Sequence, residues 1–229
     1  MQKARFPLPV KAVTIDLDGT MLDTVADLAL ALNLMLEQIG LRALPEAQVR
    51  TYIGKGVQVL VRRALAGALE GESDSALYER ALPIYMDCYE RVNGQHTVIY
   101  PGVREGLDAM RDAGHALVCV TNKAARFALP LLAHMQLADY FAFVIAGDTL
   151  PKRKPDPLPL THASQRLGVA PGEMLMIGDS LNDALAARAA GCSVFCVPYG
   201  YNEGVEVRNL DVDAIVQTLV EAAGLITPA

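Results

Sequence analysis

The chain of 229 residues contains no apolar run of the roughly 18 residues that a membrane-spanning helix requires. Residues 1–10 carry positive charge but lack the apolar stretch of a secretory signal peptide. The one basic cluster, residues 152–154, is short, and the net charge is −6, which argues against a nucleic-acid interface. These absences predict no membrane partner and no nucleic-acid partner, and they make the cytoplasm the default expectation for location.

Cysteine is also scarce, with four residues in the whole chain: Cys88, Cys119, Cys192 and Cys196. None of them has a histidine partner at the spacing of a zinc site. Cys119 lies in an apolar, strand-like run, and Cys192 directly follows a glycine that ends a helix. We therefore predict buried, reduced cysteines and neither a disulfide nor a zinc centre.

Hydrophobic residues make up 52% of the chain and charged residues 20%, which is enough for a sizeable core and excludes disorder. From residue 103 onward, short apolar segments alternate with helical patterns, several of which end at a glycine. This alternation is typical of βαβ units and a parallel sheet covered on both faces. The predicted strands are 13–15, 116–120, 143–146, 174–177, 194–197 and 214–216. The predicted helices that accompany them are 103–113, 123–136, 157–167, 182–190 and 217–223.

Residues 21–98 show no convincing strand and four helical patterns, at 24–39, 46–52, 57–69 and 74–93. Pro83 predicts a kink or break in the last of these, and Pro130 an interruption of helix 123–136. The sequence thus predicts an α/β protein in two parts. A Rossmann-like parallel-sheet domain uses residues 1–20 and 99–229, and a small helical domain, 21–98, is inserted after the first strand. We expect that insert to be a lid above the end of this strand, because closure excludes water from a reactive site.

Two carboxylates, Asp16 and Asp18, end the first predicted strand, and Gly19 follows them. Alternate residues of a strand point the same way, so both acids are expected at the carboxyl edge of the sheet, where open α/β folds bind ligands. Like charges this close need a cation, a shared proton or different roles. Mg²⁺ suits one or two carboxylates beside a phosphate. The alternative is a strand that ends in an Asp-Gly turn with both acids solvated.

Polar residues follow two further predicted strands: Thr121 and Asn122 after one, Asp179 and then Asp183 after another. Lys154 precedes the helix that leads into the second. Taken singly, each has an ordinary explanation as a helix cap, a solvated lysine, a turn or a charge at a helix N-terminus. In a parallel sheet they meet at one edge with the first two acids. A hydroxyl, an amide and an ammonium grip phosphate oxygens, while carboxylates hold a cation.

Four segments together resemble, in order, the motifs of the haloacid dehalogenase-like phosphohydrolases: residues 16–20, 121–122, 154–155 and 178–183. The resemblance spans the predicted sheet domain and implies a small C1-type cap for the insert. It implies that Asp16 attacks phosphorus to form an aspartyl-phosphate, and that Asp18 protonates the leaving alcohol and then activates water. It also implies Mg²⁺, held by the Asp16 side chain, the Asp18 backbone carbonyl and the Asp179 side chain, with Asp183 in support.

By the same resemblance, Thr121, Asn122 and Lys154 hold the phosphoryl oxygens, and Lys154 also restrains the nucleophile. Residues 52–56, 151–157 and 199–202 resemble, more narrowly, a bacterial subfamily that hydrolyses 2-phosphoglycolate. A small phosphorylated metabolite is therefore the expected partner, and the protein is expected to be a monomer or a homodimer. We expect Lys55 or Arg62 to meet the carboxylate of this substrate, since a cation is required there.

Several alternatives share these motifs. Another small sugar or amino-sugar phosphate is one, and a β-phosphoglucomutase-like isomerase, which shares Asp16, Asp18 and the cap, is another. Dehalogenases of this fold lack the second acid and need no metal. Phosphonoacetaldehyde hydrolases form a Schiff base on a cap lysine, and Lys55 is the only lysine in residues 21–98. A non-enzymatic receiver-like module also gathers acids, a threonine and a lysine at strand ends, but such modules are shorter and have no helical insert.

Overall fold

The computed structural model describes residues 6–71 and 73–229. Its strands are β1 (Leu8–Val10), β2 (Ala12–Ile15), β3 (Leu22–Asp23), β4 (Val98–Ile99), β5 (Ala116–Val120), β6 (Phe143–Ile145), β7 (Met174–Gly178), β8 (Ser193–Cys196), β9 (Ala214–Ile215) and β10 (Ile226–Pro228). Its helices are α1 (Val25–Gln38), α2 (Glu46–Tyr52), α3 (Val57–Ala66), α4 (Ser75–Val92), α5 (Val103–Asp112), α6 (Ala125–His134), α7 (Leu158–Leu167), α8 (Leu181–Ala190) and α9 (Leu219–Gly224). Short 3₁₀ helices lie at Ala138–Tyr140, Pro171–Glu173 and Val207–Asn209.

The centre of the described chain is a parallel sheet with the strand order β6, β5, β2, β7, β8, β9. Strand β2 therefore lies between β5 and β7, and Ile15 is in register with Cys119 on one side and Ile177 on the other. These three strands end at one edge, so the residues that follow each of them are brought together. The predicted α/β fold class is confirmed, and the predicted strands and helices agree with the structure to within a few residues.

Side chains alternate between the two faces of the sheet, as the period of two requires. Val13 and Ile15 join the core beneath α5, α6 and α9. Ala12 and Val118 join the core on the opposite face, beneath α7 and α8. Because both faces are covered, the strands are apolar throughout rather than alternately polar, which is why they were recognisable as short apolar runs.

Helices α1 to α4 form a unit with an apolar core of its own, in which α1 and α4 pack along each other. The buried carboxylate of Asp27 in α1 ties the two ends of this unit together. It accepts hydrogen bonds from the backbone N–H groups of Gly94 (2.9 Å), His96 (2.8 Å) and Thr97 (3.1 Å), and from the Thr97 hydroxyl (2.6 Å). The boundary of the insert at residues 21–98 stays a prediction.

Two short strand pairs were not predicted. Strands β3 and β4 pair antiparallel at the junction of the sheet and the helical unit, with Leu22 opposite Ile99. The expectation of no strand between residues 21 and 98 was therefore wrong. Strands β1 and β10 pair in parallel at the two ends of the described chain. Strands of two or three residues carry too few positions to show a period in the sequence.

Both proline expectations were too strong. Pro83 lies inside α4 and Pro130 inside α6, and each helix continues through it. A proline removes one backbone hydrogen bond and crowds the preceding turn. In α6 this cost is offset by packing on both sides of the proline, where Phe127, Leu131 and Leu132 are buried. Neither the break in α4 nor the interruption of α6 occurs.

All four cysteines are buried, as predicted, and each is a free thiol in the structure. In the described ranges, no helix combines the length and the apolar character that crossing a bilayer requires.

Candidate active site

A small cavity lies where the carboxyl ends of β2 and β5 face the helical unit. Its volume is about 40 Å³. The sheet side supplies the polar walls and the helical unit supplies most of the apolar ones. The described residues that line it are Asp16, Asp18, Leu28, Ile53, Gly54, Gly56, Val57, Leu60, Thr121, Asn122 and Lys123.

Asp16 is the first residue after β2. Its backbone N–H donates to the carbonyl of Ile177 in β7 (2.9 Å), so the sheet ladder fixes its position. Its Oδ1 accepts from the backbone N–H of Leu17 (2.7 Å) and pairs with Nζ of Lys154 (2.9 Å). Burial raises the pKa of Asp16 to about 7, although the neighbouring lysine acts to lower it. A buried carboxylate in this state gains from an added cation, which would restore the ionised form.

Lys154 is buried, with only 2% of its surface exposed. Its ammonium contacts three acceptors: Asp16 (2.9 Å), Asp183 (2.7 Å) and the carbonyl of Val120 at the end of β5 (2.6 Å). Burial acts to lower the pKa of Lys154, but the two acids together hold it above its usual value. An ammonium has three N–H donors, so Lys154 is fully engaged and is not the solvated loop lysine of the alternative explanation.

Asp183 lies in the first turn of α8 and is completely buried. Its Oδ2 accepts from the backbone N–H of Ser180 (3.1 Å), from the Ser180 hydroxyl (2.7 Å) and from the backbone N–H of Asp179 (3.3 Å). It therefore does complement the helix N-terminus, as its simpler explanation had it, but it also anchors Lys154. A Cβ at Gly178 would lie 2.3 Å from Cγ of Asp183, so only glycine fits at the end of β7.

Asp179 is held between the loop after β2 and the loop after β8. Its Oδ1 accepts from the Thr20 hydroxyl (2.9 Å), and its Oδ2 accepts from the backbone N–H of Tyr201. A Cβ on Gly19 or on Gly200 would lie 2.3 Å from Oδ2 of Asp179, so both glycines make room for this carboxylate. Burial, followed by the nearby charges of Asp183 and Asp16, raises the pKa of Asp179 well above its usual value.

Asp16, Asp179 and Asp183 offer carboxylate oxygens that lie within 4.8 Å of one another, a group that fits a metal ion. All the donors are oxygen, which is the ligand that Mg²⁺ prefers. The raised pKa values of Asp16 and Asp179 fit the same conclusion, because a cation would relieve the cost of burying two charges side by side. Both oxygens of Asp183 are already engaged, so it is better suited to orient the other acids than to bind the ion.

Asp18 has a different environment from Asp16, although only one residue separates them. Nζ of Lys123 lies 3.0 Å from its Oδ1 and 3.3 Å from its Oδ2. The same ammonium donates to the hydroxyl of Tyr89 in α4 and lies 4.7 Å from the centre of that ring. Burial raises the pKa of Tyr89 well above its usual value, so the phenol is neutral and accepts from the lysine. Asp18 is thus linked through one lysine to the helical unit.

Thr121 and Asn122 follow β5 directly, as predicted. They do not cap α6, whose N-cap position is Ala124 and has no side-chain cap. The Thr121 hydroxyl accepts from the backbone N–H of Lys123 (3.2 Å). The Asn122 amide donates to the carbonyls of Gly54 (3.0 Å) and Lys154 (2.9 Å), so it joins the loop before α3 to the sheet. Its buried Oδ1 has no hydrogen-bond partner among the described residues.

Lys55 and Arg62 do not line the cavity in the described structure. Nζ of Lys55 pairs with Glu203 (2.8 Å), which Arg63 also contacts (2.7 Å). Arg62 is exposed and stacks on the ring of Tyr78 at 4.5 Å. The structure therefore brings together the residues expected at the sheet edge and leaves these two cap residues outside the cavity.

Sequence reasoning missed the roles of Lys123, Tyr89, Thr20 and Tyr201. Lys123 directly follows the Thr121-Asn122 pair, and that position was the one available signal for it. Thr20 stands within the first motif, and Tyr201 stands in the segment after β8. Nothing in the sequence marks Tyr89, which reaches the site because α4 packs against α6, where its ring lies 4.7 Å from that of Phe127.

The chain has extensive similarity to known proteins. A family model described as haloacid dehalogenase-like hydrolase matches residues 13–197. A Nitrosospira multiformis protein named phosphoglycolate phosphatase is 59% identical over 221 residues, which cover 96% of this chain and 97% of the relative. A Thiobacillus denitrificans protein of the same name is 54% identical over 225 residues, covering 98% and 99%. A crystal structure from Haemophilus somnus, described as a predicted phosphoglycolate phosphatase, has a TM-score of 0.88 at 32% identity, covering 93% of this chain and 96% of that one.

Proposed function

Since the chain belongs to the family of haloacid dehalogenase-like hydrolases, we propose that it hydrolyses 2-phosphoglycolate to glycolate and phosphate and requires Mg²⁺. The relatives that bear the name phosphoglycolate phosphatase cover almost the whole chain, including the helical insert. Their names support this substrate over other small phosphate esters. A cytoplasmic location and a monomeric or homodimeric state stay predictions from the sequence.

The observation that carries the proposal is that two neighbouring carboxylates are held by two different lysines at one cavity. Lys154 fixes Asp16, and Lys123 fixes Asp18. Two acids in separate environments are suited to separate roles in one reaction. Asp16, which has the group of acids beside it, would act as the nucleophile, and Asp18, on the side of the helical unit, would serve the leaving group.

In the first step, a carboxylate oxygen of Asp16 bonds to phosphorus as the bond to the glycolate oxygen breaks. Asp18 gives its proton to that oxygen, and an aspartyl-phosphate is left on Asp16. In the second step, Asp18 takes a proton from water, whose oxygen bonds to phosphorus and releases Asp16. Splitting one displacement into two lets the same pair of acids act in both.

Asp16, the backbone carbonyl of Asp18 and Asp179 would hold Mg²⁺, and Asp183 would support them. When bound there, the ion would offset the negative charge that the nucleophile and the phosphoryl group bring together. Thr20 and the backbone of Tyr201 orient Asp179 for this purpose. The support for this assignment is the group of three acids, which offers only oxygen atoms and of which Asp179 and Asp183 are buried.

Thr121, Asn122 and Lys154 would hold the phosphoryl oxygens beside the nucleophile. The Thr121 hydroxyl lines the cavity and donates to no described residue, so its proton is available. All three donors of Lys154 are engaged, so its contact with phosphate requires the exchange of one acceptor. Such fixed donors contribute to rate by positioning and by stabilising charge in the transition state.

We propose that residues 21–98 act as a movable cap. The cavity is bounded on the cap side by Leu28, Ile53, Val57 and Leu60, so a shift of the helical unit away from the sheet would open it to substrate. Such a shift would also be required for Lys55 or Arg62 to reach the substrate, because both lie outside the cavity. The Schiff-base alternative would need the same shift, because Lys55 lies outside the cavity.

The direct test is phosphate release from 2-phosphoglycolate with and without Mg²⁺, beside a panel of sugar and amino-sugar phosphates. We expect kcat/KM to be highest for 2-phosphoglycolate, to require the metal, and to vanish in Asp16→Asn. NMR analysis of products from a hexose 1-phosphate is the control for an isomerase, which would form an isomer without free phosphate. Undiminished turnover by Asp16→Asn, or no phosphate release from 2-phosphoglycolate with Mg²⁺, would refute the proposal.

A further inference from the structure

Lys123 is a buried cation at the cavity to which the mechanism above assigns only the restraint of Asp18. Of the described residues that line the cavity, it alone carries a positive charge. Its side chain is 2% exposed. Lys154 is engaged by its three acceptors. Lys123 is therefore the charged partner that the described lining offers to an anionic group of the leaving alcohol.

The distances place Lys123 on the leaving-group side. A general acid has to lie within about 2.6–3.2 Å of the oxygen that it protonates, so the ester oxygen lies next to Asp18. Nζ of Lys123 is 3.0 Å from Asp18. In 2-phosphoglycolate the carboxylate is attached to the carbon that carries the ester oxygen. A carboxylate at that position comes within hydrogen-bonding distance of the ammonium.

The remaining walls make this contact necessary. On the cap side the cavity is bounded by the apolar residues Leu28, Ile53, Val57 and Leu60. A carboxylate that leaves water for such surroundings loses hydration, and only a charged hydrogen-bond partner compensates for it. The Lys123 ammonium has three N–H donors. Its described contacts are the Tyr89 hydroxyl and the two oxygens of one carboxylate, Asp18, at 3.0 and 3.3 Å. A ligand carboxylate in the cavity would replace the longer of the two Asp18 contacts.

We propose that Lys123 determines substrate specificity by binding the carboxylate of the leaving group, so that the site selects phosphate esters with an anion next to the ester carbon. The proposal rests on the phosphatase function above and deepens it. Tyr89 fixes the ammonium from the cap side, and Asp18 fixes it from the sheet side. The carboxylate is therefore bound at the boundary between the helical unit and the sheet. The ammonium that binds the carboxylate thus also contacts Asp18, the acid that protonates the leaving oxygen.

The test compares 2-phosphoglycolate with ethyl phosphate, which has a methyl group in place of the carboxylate. In Lys123→Met we expect the ratio of the two kcat/KM values to fall about a hundredfold, while Lys123→Arg keeps much of it. The ratio cancels effects on Asp18, since both esters use that acid. Lys152→Met is the matched control, because Lys152 is 67% exposed in a surface ion pair with Asp156. Equal loss on both esters, or a collapse of the ratio in Lys55→Met alone, would overturn the inference.

Binding separates this inference from the proposed function. In an Asp16→Asn background, calorimetry gives the dissociation constants of both esters with and without Lys123→Met. We expect the background to prefer 2-phosphoglycolate and the double variant to lose that preference. If the wild-type enzyme releases no phosphate from either ester, the proposed function fails, and this comparison still decides about Lys123. Equal affinity for both esters in the background overturns the inference. Lys123→Gln replaces Lys123→Met if thermal melting shows the latter to be unfolded.

Discussion

Tyr201 offers a perturbation whose cost follows from the structure. Its hydroxyl accepts hydrogen bonds from the backbone N–H groups of Thr24 (2.8 Å) and Val25 (3.1 Å), and it donates to Asp23. These N–H groups begin α1, which has no side-chain cap of its own. Burial raises the pKa of Tyr201 well above its usual value, so the phenol stays protonated as a donor. A side chain from the loop after β8 thus caps the first helix of the insert.

Tyr201→Phe removes this oxygen and keeps the ring. The Thr24 N–H then has no acceptor among the described residues, whereas Val25 retains a contact with Asp23 at 3.3 Å. Asp23 in turn retains its ion pair with Arg50 (3.0 Å). One buried unsatisfied donor costs roughly 1–3 kcal/mol, so the free energy of unfolding should fall by about 2 kcal/mol. For a chain of this length that corresponds to a fall in Tm of about 4–8 °C.

Activity should respond differently from stability. Asp179 is bonded to the backbone N–H of Tyr201, which the substitution leaves in place. We therefore expect kcat/KM for 2-phosphoglycolate to stay near the wild-type value while urea and thermal unfolding shift. Tyr78→Phe is the control, because the Tyr78 hydroxyl has no partner among the described residues, and its stability should be unchanged. Wild-type stability in Tyr201→Phe, or loss of activity without loss of stability, would refute this reasoning.

Three further substitutions or conditions test the site. Gly200→Ala places a Cβ about 2.3 Å from the carboxylate of Asp179, and the resulting overpacking costs roughly 1–3 kcal/mol of stability. Because it displaces this carboxylate, it should raise the Mg²⁺ concentration needed for half-maximal activity. An unchanged dependence of activity on Mg²⁺ would contradict this. Asp183→Asn removes the charge that faces Lys154 at 2.7 Å. It should lower the free energy of unfolding, measured by urea denaturation, by about 3–5 kcal/mol. A loss no larger than that of a surface variant would count against this role of Asp183. Burial raises the pKa of Asp16 from 3.8 to about 7, so the metal-free protein should lose stability as the pH rises through this range. Mg²⁺ should therefore raise Tm more at a pH of about 8 than at a pH of about 5. An equal rise in Tm at both pH values would contradict the assignment of Asp16 as a metal ligand.

The convergence of Asp16, Thr121 and Asp179 could be predicted because it depends on one simple rule. Each follows an apolar run that is long enough to be recognised as a strand, and parallel strands end at the same edge. The strand order itself did not have to be known, since the strands of a parallel sheet end at one edge whatever their order. The sequence pattern could not predict which carboxylate oxygen of the site accepts from which N–H or O–H group.

The two lysines of the site show where sequence reasoning stops. Lys123 and Lys154 both lie in loops at the carboxyl edge of the sheet, and both are buried. Only the position of α4 decides that Lys123 contacts Tyr89 as well as Asp18. That packing depends on contacts between segments far apart in the chain. A lysine on a loop is solvated by default, and nothing local reveals that a cap helix will cover it.

Arg62 differs, because helical phase alone already indicates its location. In α3 the buried apolar residues Val57, Leu60, Val61 and Ala64 form one face. A residue at position 62 then lies roughly opposite that face, and the structure places Arg62 there, exposed against Tyr78. The choice of Lys55 and Arg62 rested on charge and on their location in the insert, and helical phase was the stronger constraint.

The contacts between the two units also limit how the cap can move. Tyr201 bonds Asp179 through its backbone and the start of α1 through its hydroxyl, so the metal-site loop and the first helix of the cap are tied together. At the opposite side, Asn122 donates to the carbonyl of Gly54 (3.0 Å), and Lys55 and Arg63 pair with Glu203, whose side chain is 28% exposed. One neutral hydrogen bond contributes only about 1 kcal/mol and a partly exposed ion pair roughly 0–1 kcal/mol, because water can replace either partner. The N–H groups that Tyr201 caps are buried and have no such replacement. We therefore expect the cap to open on the Gly54 side and to pivot near β3 and β4, which leaves Asp179 in place while Lys123 and Tyr89 separate.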